Sequence, residues 1–551
     1  MELLQVKNLS FKYPNTEKNA LENINFSVDK GSFVLLCGKS GCGKTTLLKM
    51  IKKEISPFGE KHGEIFYNNK NLDEIDEITS VSKIGLVGQN PDEQIVTDKV
   101  WHELVFGLEN LGVKTEKIRL RVGEMASYFG IESWYHKNTC ELSGGQKQLL
   151  NLASVMVTQP EILLFDEPTA QLDPIAASDF ILTLQKLNRD FGTTILIAEH
   201  RLEDVFPVAE KVAVMDNGKI LVYDNPRQVC EKTKNMPIAL GFPTASRIWN
   251  GLDIDTPCPM TVREGRDFLS ENFSHIAGSE IKFENIAENK VVLEAKNLWF
   301  RYEKSMPDVL KGLSLKLRSG EIYSILGGNG AGKTTALNVI AGFEKAYKGS
   351  VKIYGKKISE YKKGSLYHGT LSLLSQNPKN VFIKNTVKED FVEILKSMGF
   401  PKEDYDKLIF EQAEVFEITQ LLDKHPYDLS GGEQQRCAIA KLMLSSPKIL
   451  LLDEPTKGMD AYAKNKFGDL LVKLKNMGKT ILIVTHDVEF SAQISDMCGL
   501  IFDGEIISQG NPHEFFSQNN FYTTQASRIS REIFKNAVLC EDVIKLCKGS
   551  I

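Results

Sequence analysis

Apolar residues gather into short unbroken runs at corresponding places in the two halves of the chain. Residues 31–37 read Gly-Ser-Phe-Val-Leu-Leu-Cys and residues 320–326 read Gly-Glu-Ile-Tyr-Ser-Ile-Leu, while Ile162-Leu163-Leu164-Phe165 and Ile449-Leu450-Leu451-Leu452 form a second matched pair. Runs this short show neither the alternation of a half-exposed strand nor the period of a surface helix, so they predict strands buried on both faces. The first pair leads into a glycine-rich turn and a helix-forming stretch. The second pair ends on two acidic residues, Asp166-Glu167 and Asp453-Glu454, which places each pair at the carboxyl end of a buried strand.

The pattern is a duplication. Lys333 follows Lys44 by 289 positions; Gln376, Ser430 and Asp453 follow Gln89, Ser143 and Asp166 by 287, and His486 follows His200 by 286. Leu9-Ser10-Phe11-Lys12-Tyr13 is echoed by Leu298-Trp299-Phe300-Arg301-Tyr302. The punctuation predicts a first domain over 1–228, a connector over 229–290, a second domain over 291–516 and a helical tail over 517–551. The connector carries Met236-Pro237, Gly241-Phe242-Pro243 and Asp255-Thr256-Pro257-Cys258-Pro259 and reads as an ordered, loop-rich strap with short helices. The tail reads as one or two surface helices without chemistry.

Composition narrows the class. With 551 residues the chain exceeds a single core. At 42% hydrophobic and 25% charged it has the make-up of a soluble protein, without the long apolar stretch of a membrane span. The start MELLQVKNLS lacks the layout of a signal peptide, so a cytosolic protein is expected. A net charge of −5 provides no basic field for nucleic acid, and nine cysteines without a Cys-x-x-Cys pair argue for reduced thiols.

The chemistry starts at the glycine turns, Gly38-Lys39-Ser40-Gly41-Cys42-Gly43-Lys44-Thr45 and Gly327 through Lys333-Thr334. Gly38, Gly41 and Gly43, and likewise Gly327, Gly330 and Gly332, let the backbone curl so that successive N–H groups face a phosphate chain at a helix start. Lys44 and Lys333 add charge at the β/γ end. Thr45 and Thr334 are expected to ligate Mg²⁺, and Thr46 and Thr335 to donate to the α-phosphate. Asp166 and Asp453 are placed as Mg²⁺-side carboxylates, and Glu167 and Glu454 to orient and polarise the attacking water. Cys42 fills a small space in the first loop, where its position near a helix N-terminus favours a lowered thiol pKa.

Leu142-Ser143-Gly144-Gly145-Gln146 and Leu429-Ser430-Gly431-Gly432-Glu433 separate this chain from other phosphate-loop proteins: both halves resemble ATP-binding cassette ATPase domains. The resemblance implies an α/β fold of two tandem phosphate-loop domains, each with a mixed-sheet core and a helical signature subdomain, acting on ATP with Mg²⁺. It also implies head-to-tail pairing of the two cassettes within one chain. One composite site would join Lys44, Asp166, Glu167 and His200 with Ser430 and Gly432; the other would join Lys333, Asp453, Glu454 and His486 with Ser143 and Gly145. Asp173 and Asp460 match the family's D-loop position. His200 and His486 match the histidine that contacts the γ-phosphate, Tyr13 and Tyr302 the aromatic that stacks on adenine, and Gln89 and Gln376 the glutamine that reaches Mg²⁺ and touches the membrane partner.

Gln89-Asn90-Pro91, Gln376-Asn377-Pro378 and Ala198-Glu199-His200-Arg201-Leu202-Glu203 are similar to the cassettes of energy-coupling factor importers for vitamins and transition-metal ions. That implies integral membrane partners, a coupling subunit and a substrate-binding subunit, and a peripheral place at the cytoplasmic face of the cell membrane. The alternative is a soluble twin cassette acting on ribosomes or RNA, whose long charged helical linker the proline-punctuated connector does not match. Gln94 in the first half, against Val381 in the second, is expected to grip a membrane partner's polar helix.

Overall fold

The computed structural model describes residues 1–14, 16–276, 278, 281, 289–362 and 364–549. The last part of the expected connector, including 282–288, lies outside the described residues. The chain divides into two compact units: Met1–Asn250 with Asp255–Thr261, and Gly251–Ile254 with Val262–Ile551.

Among the described residues of the first unit, a six-stranded sheet runs in the order Lys219–Asp224, Lys211–Asp216, Phe33–Gly38, Thr194–Ala198, Ile162–Asp166, Ile84–Val87. Its members pair in parallel except for the edge strand Lys219–Asp224, which is antiparallel. A four-stranded antiparallel sheet built on Glu2–Lys12 and Leu21–Asp29 completes the unit. Every residue of Phe33–Gly38 is buried, as the run of apolar residues predicts for a central parallel strand. The second unit repeats the design, with Leu371–Leu374, Ile449–Asp453, Thr480–Thr485, Ile322–Leu326, Met497–Phe502 and Glu505–Gly510 in sheet order. In both, the phosphate-loop strand lies beside the strand that ends at the histidine, and the acidic strand lies one place further out.

The expected connector is ordered where it is described. Phe206 and Phe242 rings sit 5.0 Å apart, and Trp249 Nε1 donates to the Thr256 carbonyl at 3.0 Å. The tail differs from a surface helix. Ile529, Phe534, Val538 and Val543 are buried; helix Val262–Phe273 packs on helix Gln525–Ser530, where Arg266 Nε donates to the Arg528 carbonyl at 2.7 Å, and Val538 joins a cluster with Phe515 and Phe516. One-sided apolar spacing could not reveal that another helix covers that side.

Candidate functional site

Each buried phosphate-loop strand ends in a glycine turn that starts a helix, Lys44–Ile51 in the first half and Lys333–Ala341 in the second. Gly43 caps its helix in the left-handed region (φ 106°), and a Cβ there would come within 2.6 Å of the Ala20 carbonyl oxygen. Gly41 also has positive φ, yet a Cβ on it would meet nothing within 4 Å. Space beside Gly41 is therefore open. Neither helix start carries a side-chain cap, which leaves its leading N–H groups as donors for an anion.

The lysines fold over this loop. Lys44 Nζ donates to the Gly38 and Lys39 carbonyls at 3.0 and 3.2 Å, and Lys333 Nζ to those of Gly327 and Gly328 at 2.9 and 3.1 Å. Both are buried, an arrangement that holds a cation ready for phosphate oxygens. Thr45 Oγ1 donates to Asp166 Oδ1 at 3.0 Å and Thr334 Oγ1 to Asp453 Oδ1 at 3.2 Å. A hydroxyl and a carboxylate side by side are hard oxygen donors of the kind magnesium takes. Burial, reinforced by the neighbouring Glu167 charge, pushes the Asp166 carboxyl up to about 6, and burial does the same to Asp453 beside Glu454. A nearby divalent cation would relieve that cost.

The water-side residues also meet. Glu167 is held at φ 49° with its N–H on the Ala198 carbonyl, and Glu454 at φ 46° with its N–H on Val484. His200 Nε2 lies 2.7 Å from Glu167 Oε1 and 3.3 Å from Lys44 Nζ, while Gln89 Nε2 donates to Glu167 Oε2 at 3.3 Å. In the second half His486 Nδ1 lies 2.9 Å from Glu454 Oε2 and Lys333 Nζ lies 3.5 Å from Glu454 Oε1. Burial alone would raise Glu454, but His486 and Lys333 hold its carboxyl below the usual range. Gln376 lies just beyond the strand Leu371–Leu374 that flanks Asp453.

Tyr13 Oη and Thr46 Oγ1 are 3.1 Å apart, and Tyr302 Oη and Thr335 Oγ1 3.0 Å. Each tyrosine hydroxyl thus marks the first turn of the phosphate-loop helix, with the Tyr302 ring more than half exposed. The signature residues stand apart from these clusters. Ser143 caps Gly144–Met156 in a reciprocal pair with Gln146, and the Ser430 N–H and hydroxyl both donate to Glu433. Gly145 and Gly432 turn toward Ala176 and Ala463, near helix starts capped by Asp173 and Asp460. Cys42 departs from its expected behaviour, since burial raises its thiol against the pull of Lys44.

Sequence reasoning missed residues that serve the backbone around the site. Gln94 does not face outward as a grip. Its Oε1 accepts from the Gly88 N–H at 2.9 Å and its Nε2 donates to the Leu86 carbonyl at 2.9 Å, while Gln148 Nε2 donates to the Gly88 carbonyl at 3.1 Å. Glu103 and its counterpart Asp390 each receive two consecutive N–H groups from the loop that precedes their own helix, Val96 and Thr97 or Ile383 and Lys384. Glu199, at 2% exposure, accepts from the Thr169 N–H and hydroxyl at 2.9 and 2.6 Å and from the His200 N–H at 3.0 Å. Its place inside the Ala198–Glu203 stretch was the available signal.

Comparison with known proteins agrees with this arrangement. The ABC transporter family model matches residues 21–170 and 310–457. A protein of Bacillus thuringiensis subsp. konkukian (strain 97-27), named for an ABC transporter ATP-binding role, is 40% identical over 99% of this chain and 98% of its own length. A Bacillus subtilis (strain 168) protein whose name refers to HMP/thiamine import ATP-binding is 30% identical over 94% of this chain and 93% of its own. Among solved structures, cbiO1 from Clostridium perfringens, described as part of an ABC transporter complex, covers 41% of this chain and 91% of its own at 32% identity and a TM-score of 0.39. Among the described residues no helix is long and apolar enough to cross a membrane. With two phosphate-loop, carboxylate and histidine sets in matching geometry, the chain belongs to the ABC transporter family of ATP-binding proteins and hydrolyses ATP with magnesium.

Proposed function

We propose that this ATPase powers import through separate membrane subunits of the energy-coupling factor class, carrying a vitamin or a transition-metal ion. It would work at the cytoplasmic face of the cell membrane, its two cassettes pairing head to tail within one chain so that Ser430 and Gly432 complete the Lys44 site and Ser143 and Gly145 the Lys333 site. Completeness of both sets, from Tyr13 to His200 and from Tyr302 to His486, is the observation that carries the reading, because a helper that only binds nucleotide needs no second Glu–His pair. The Bacillus subtilis relative named for HMP/thiamine import supports a vitamin-class substrate.

In each site the lysine and the loop N–H groups hold the β- and γ-phosphates, and the tyrosine stacks on the adenine. Thr45, Asp166 and Gln89, or Thr334, Asp453 and Gln376, would hold magnesium, which neutralises phosphate charge when bound. Glu167 or Glu454 accepts a hydrogen bond from the attacking water. The water oxygen bonds to the γ-phosphorus, the bond to the β–γ bridging oxygen breaks with its electron pair leaving on ADP, and the water proton passes through the carboxylate to the released phosphate. His200 or His486 steadies that carboxylate and the transferring group.

Glu167→Gln and Glu454→Gln should each slow turnover strongly, by about 10²-fold or more if the carboxylate acts as general base. Pull-down of the chain from its native membrane should recover integral membrane subunits. Wild-type turnover in either variant would refute its catalytic role, and recovery of ribosomes in place of membrane proteins would refute the importer assignment.

A further inference from the structure

Although the two halves carry the same motif set, their histidine loops are wired differently. In the first half the residue before the histidine is Glu199. It supplies one carboxylate oxygen to Thr169, at the turn after the acidic pair, and the other to the N–H groups of His200 and Arg201 at 3.0 and 3.4 Å. In the second half the corresponding residue is Thr485, whose single hydroxyl accepts the Asp487 N–H at 3.0 Å and has no second oxygen for the other contacts that Glu199 makes. The water-side glutamate fills the gap: Glu454 Oε2 accepts from the Thr485 hydroxyl at 3.1 Å and from the His486 N–H at 3.2 Å. Thr456, the counterpart of Thr169, turns to Asp487 instead, 3.4 Å away. Glu167 meanwhile faces Gln89 and the His200 ring.

We propose that Glu199 is a positioning residue that makes the two ATP sites unequal, taking over the loop contacts that otherwise draw in the water-side glutamate and so keeping Glu167 poised beside Gln89 and His200. Glu454 must release the Thr485 hydroxyl and the His486 N–H before that oxygen can receive a water, whereas Glu167 is already turned to its partners. The first site therefore cleaves ATP faster than the second. This rests on reading Glu167 and Glu454 as the water-orienting carboxylates.

The test isolates each site by single-turnover cleavage of bound ATP in the full chain. In a Glu454→Gln background, Glu199→Thr should slow cleavage by about 10- to 100-fold, the scale of a small misplacement of a catalytic group, with ATP affinity unchanged. Glu199→Gln, which keeps one acceptor oxygen, should fall between. In a Glu167→Gln background, the paired change Thr485→Glu and Asp487→Arg, which copies the Glu-His-Arg order of the first half, should speed cleavage. Unchanged cleavage in Glu199→Thr, loss of ATP affinity in step with cleavage, or no gain from the transplanted pair would each overturn the proposal. Wild-type cleavage in the Glu167→Gln, Glu454→Gln double variant would instead sink the underlying assignment of the two glutamates.

Discussion

Gln94 and Gly88 are joined by a hydrogen bond of 2.9 Å from the Gly88 N–H to the Gln94 amide oxygen, which closes a small ring around Gln89. The Gln94 amide nitrogen closes it further on the Leu86 carbonyl. Removing both bonds, each worth roughly 0.5–1.5 kcal/mol, should free the segment that presents Gln89 to Glu167. Gln94→Val is thus expected to lower the ATPase rate of the isolated chain. Steady-state turnover with saturating MgATP checks this, and an unchanged rate with lost recovery of membrane subunits would restore the outward-facing role.

The second half fixes its Ile383–Lys384 loop, the counterpart of Val96–Thr97, with a buried ion pair. Lys441 Nζ lies 2.7 Å from Asp390, whose side chain has no exposure, whereas the first half has Ser154 at the lysine position and Glu103 there receives its loop N–H groups without such a lysine. Asp390→Ala strands a buried cation and two loop N–H groups and should cost about 3–5 kcal/mol locally. Lys441→Ser imitates the first half and should cost less. Hydrogen exchange at the Ile383 and Lys384 amides reads both variants, and equal protection in the two would show that the cation carries no special burden.

Tyr302 offers a ring that the core does not consume. Replacing it with alanine should weaken ATP binding at that site by roughly 1–3 kcal/mol, the worth of a base stacked on an aromatic. Tyr302→Phe, which loses only the bond to Thr335, should weaken it far less. Titration with a fluorescent ATP analogue separates the two, and equal losses would assign the residue's value to its hydroxyl.

Within the first unit Glu203 holds the start of the helix Thr244–Leu252 by accepting from the Thr244 N–H at 2.9 Å and hydroxyl at 3.1 Å. Burial raises its carboxyl above the ordinary 4.5, against the pull of those bonds. The folded chain therefore binds this proton more tightly than the unfolded chain does, and the group's contribution to stability falls as pH rises from about 4.5 through the raised value. Glu203→Gln should flatten that part of the profile. Thermal midpoints over a pH series for both proteins measure it, and superimposable slopes would remove Glu203 from the account.

What the sequence disclosed and what it withheld follow from chain distance. The phosphate loops, acidic pairs and signature turns are contiguous stretches whose chemistry is local, so Lys44, Asp166 and Ser143 could be read directly. Glu199 and Gln148 act on backbone groups 30 and 60 positions away, Thr169 and Gly88, which only the closed sheet brings near. Gln94 was visible as a difference between the halves, but the choice between facing outward and folding back is made by geometry. Ile529 could not be read as buried because nothing in its local spacing names the helix Val262–Phe273 that packs on its own.

The connector has a consequence for any attempt to divide the chain. Residues 229–250 and 255–261 belong to the first compact unit, while 251–254 and everything from 262 belong to the second. No single peptide bond separates the units, because the polypeptide changes allegiance three times within a dozen residues. A gene split at the motif boundary near residue 228 would leave Phe206 without the Phe242 ring that packs on it within the same unit. The fusion is thus written into the fold of the first cassette, and separation into two genes would require that cassette to build a new end.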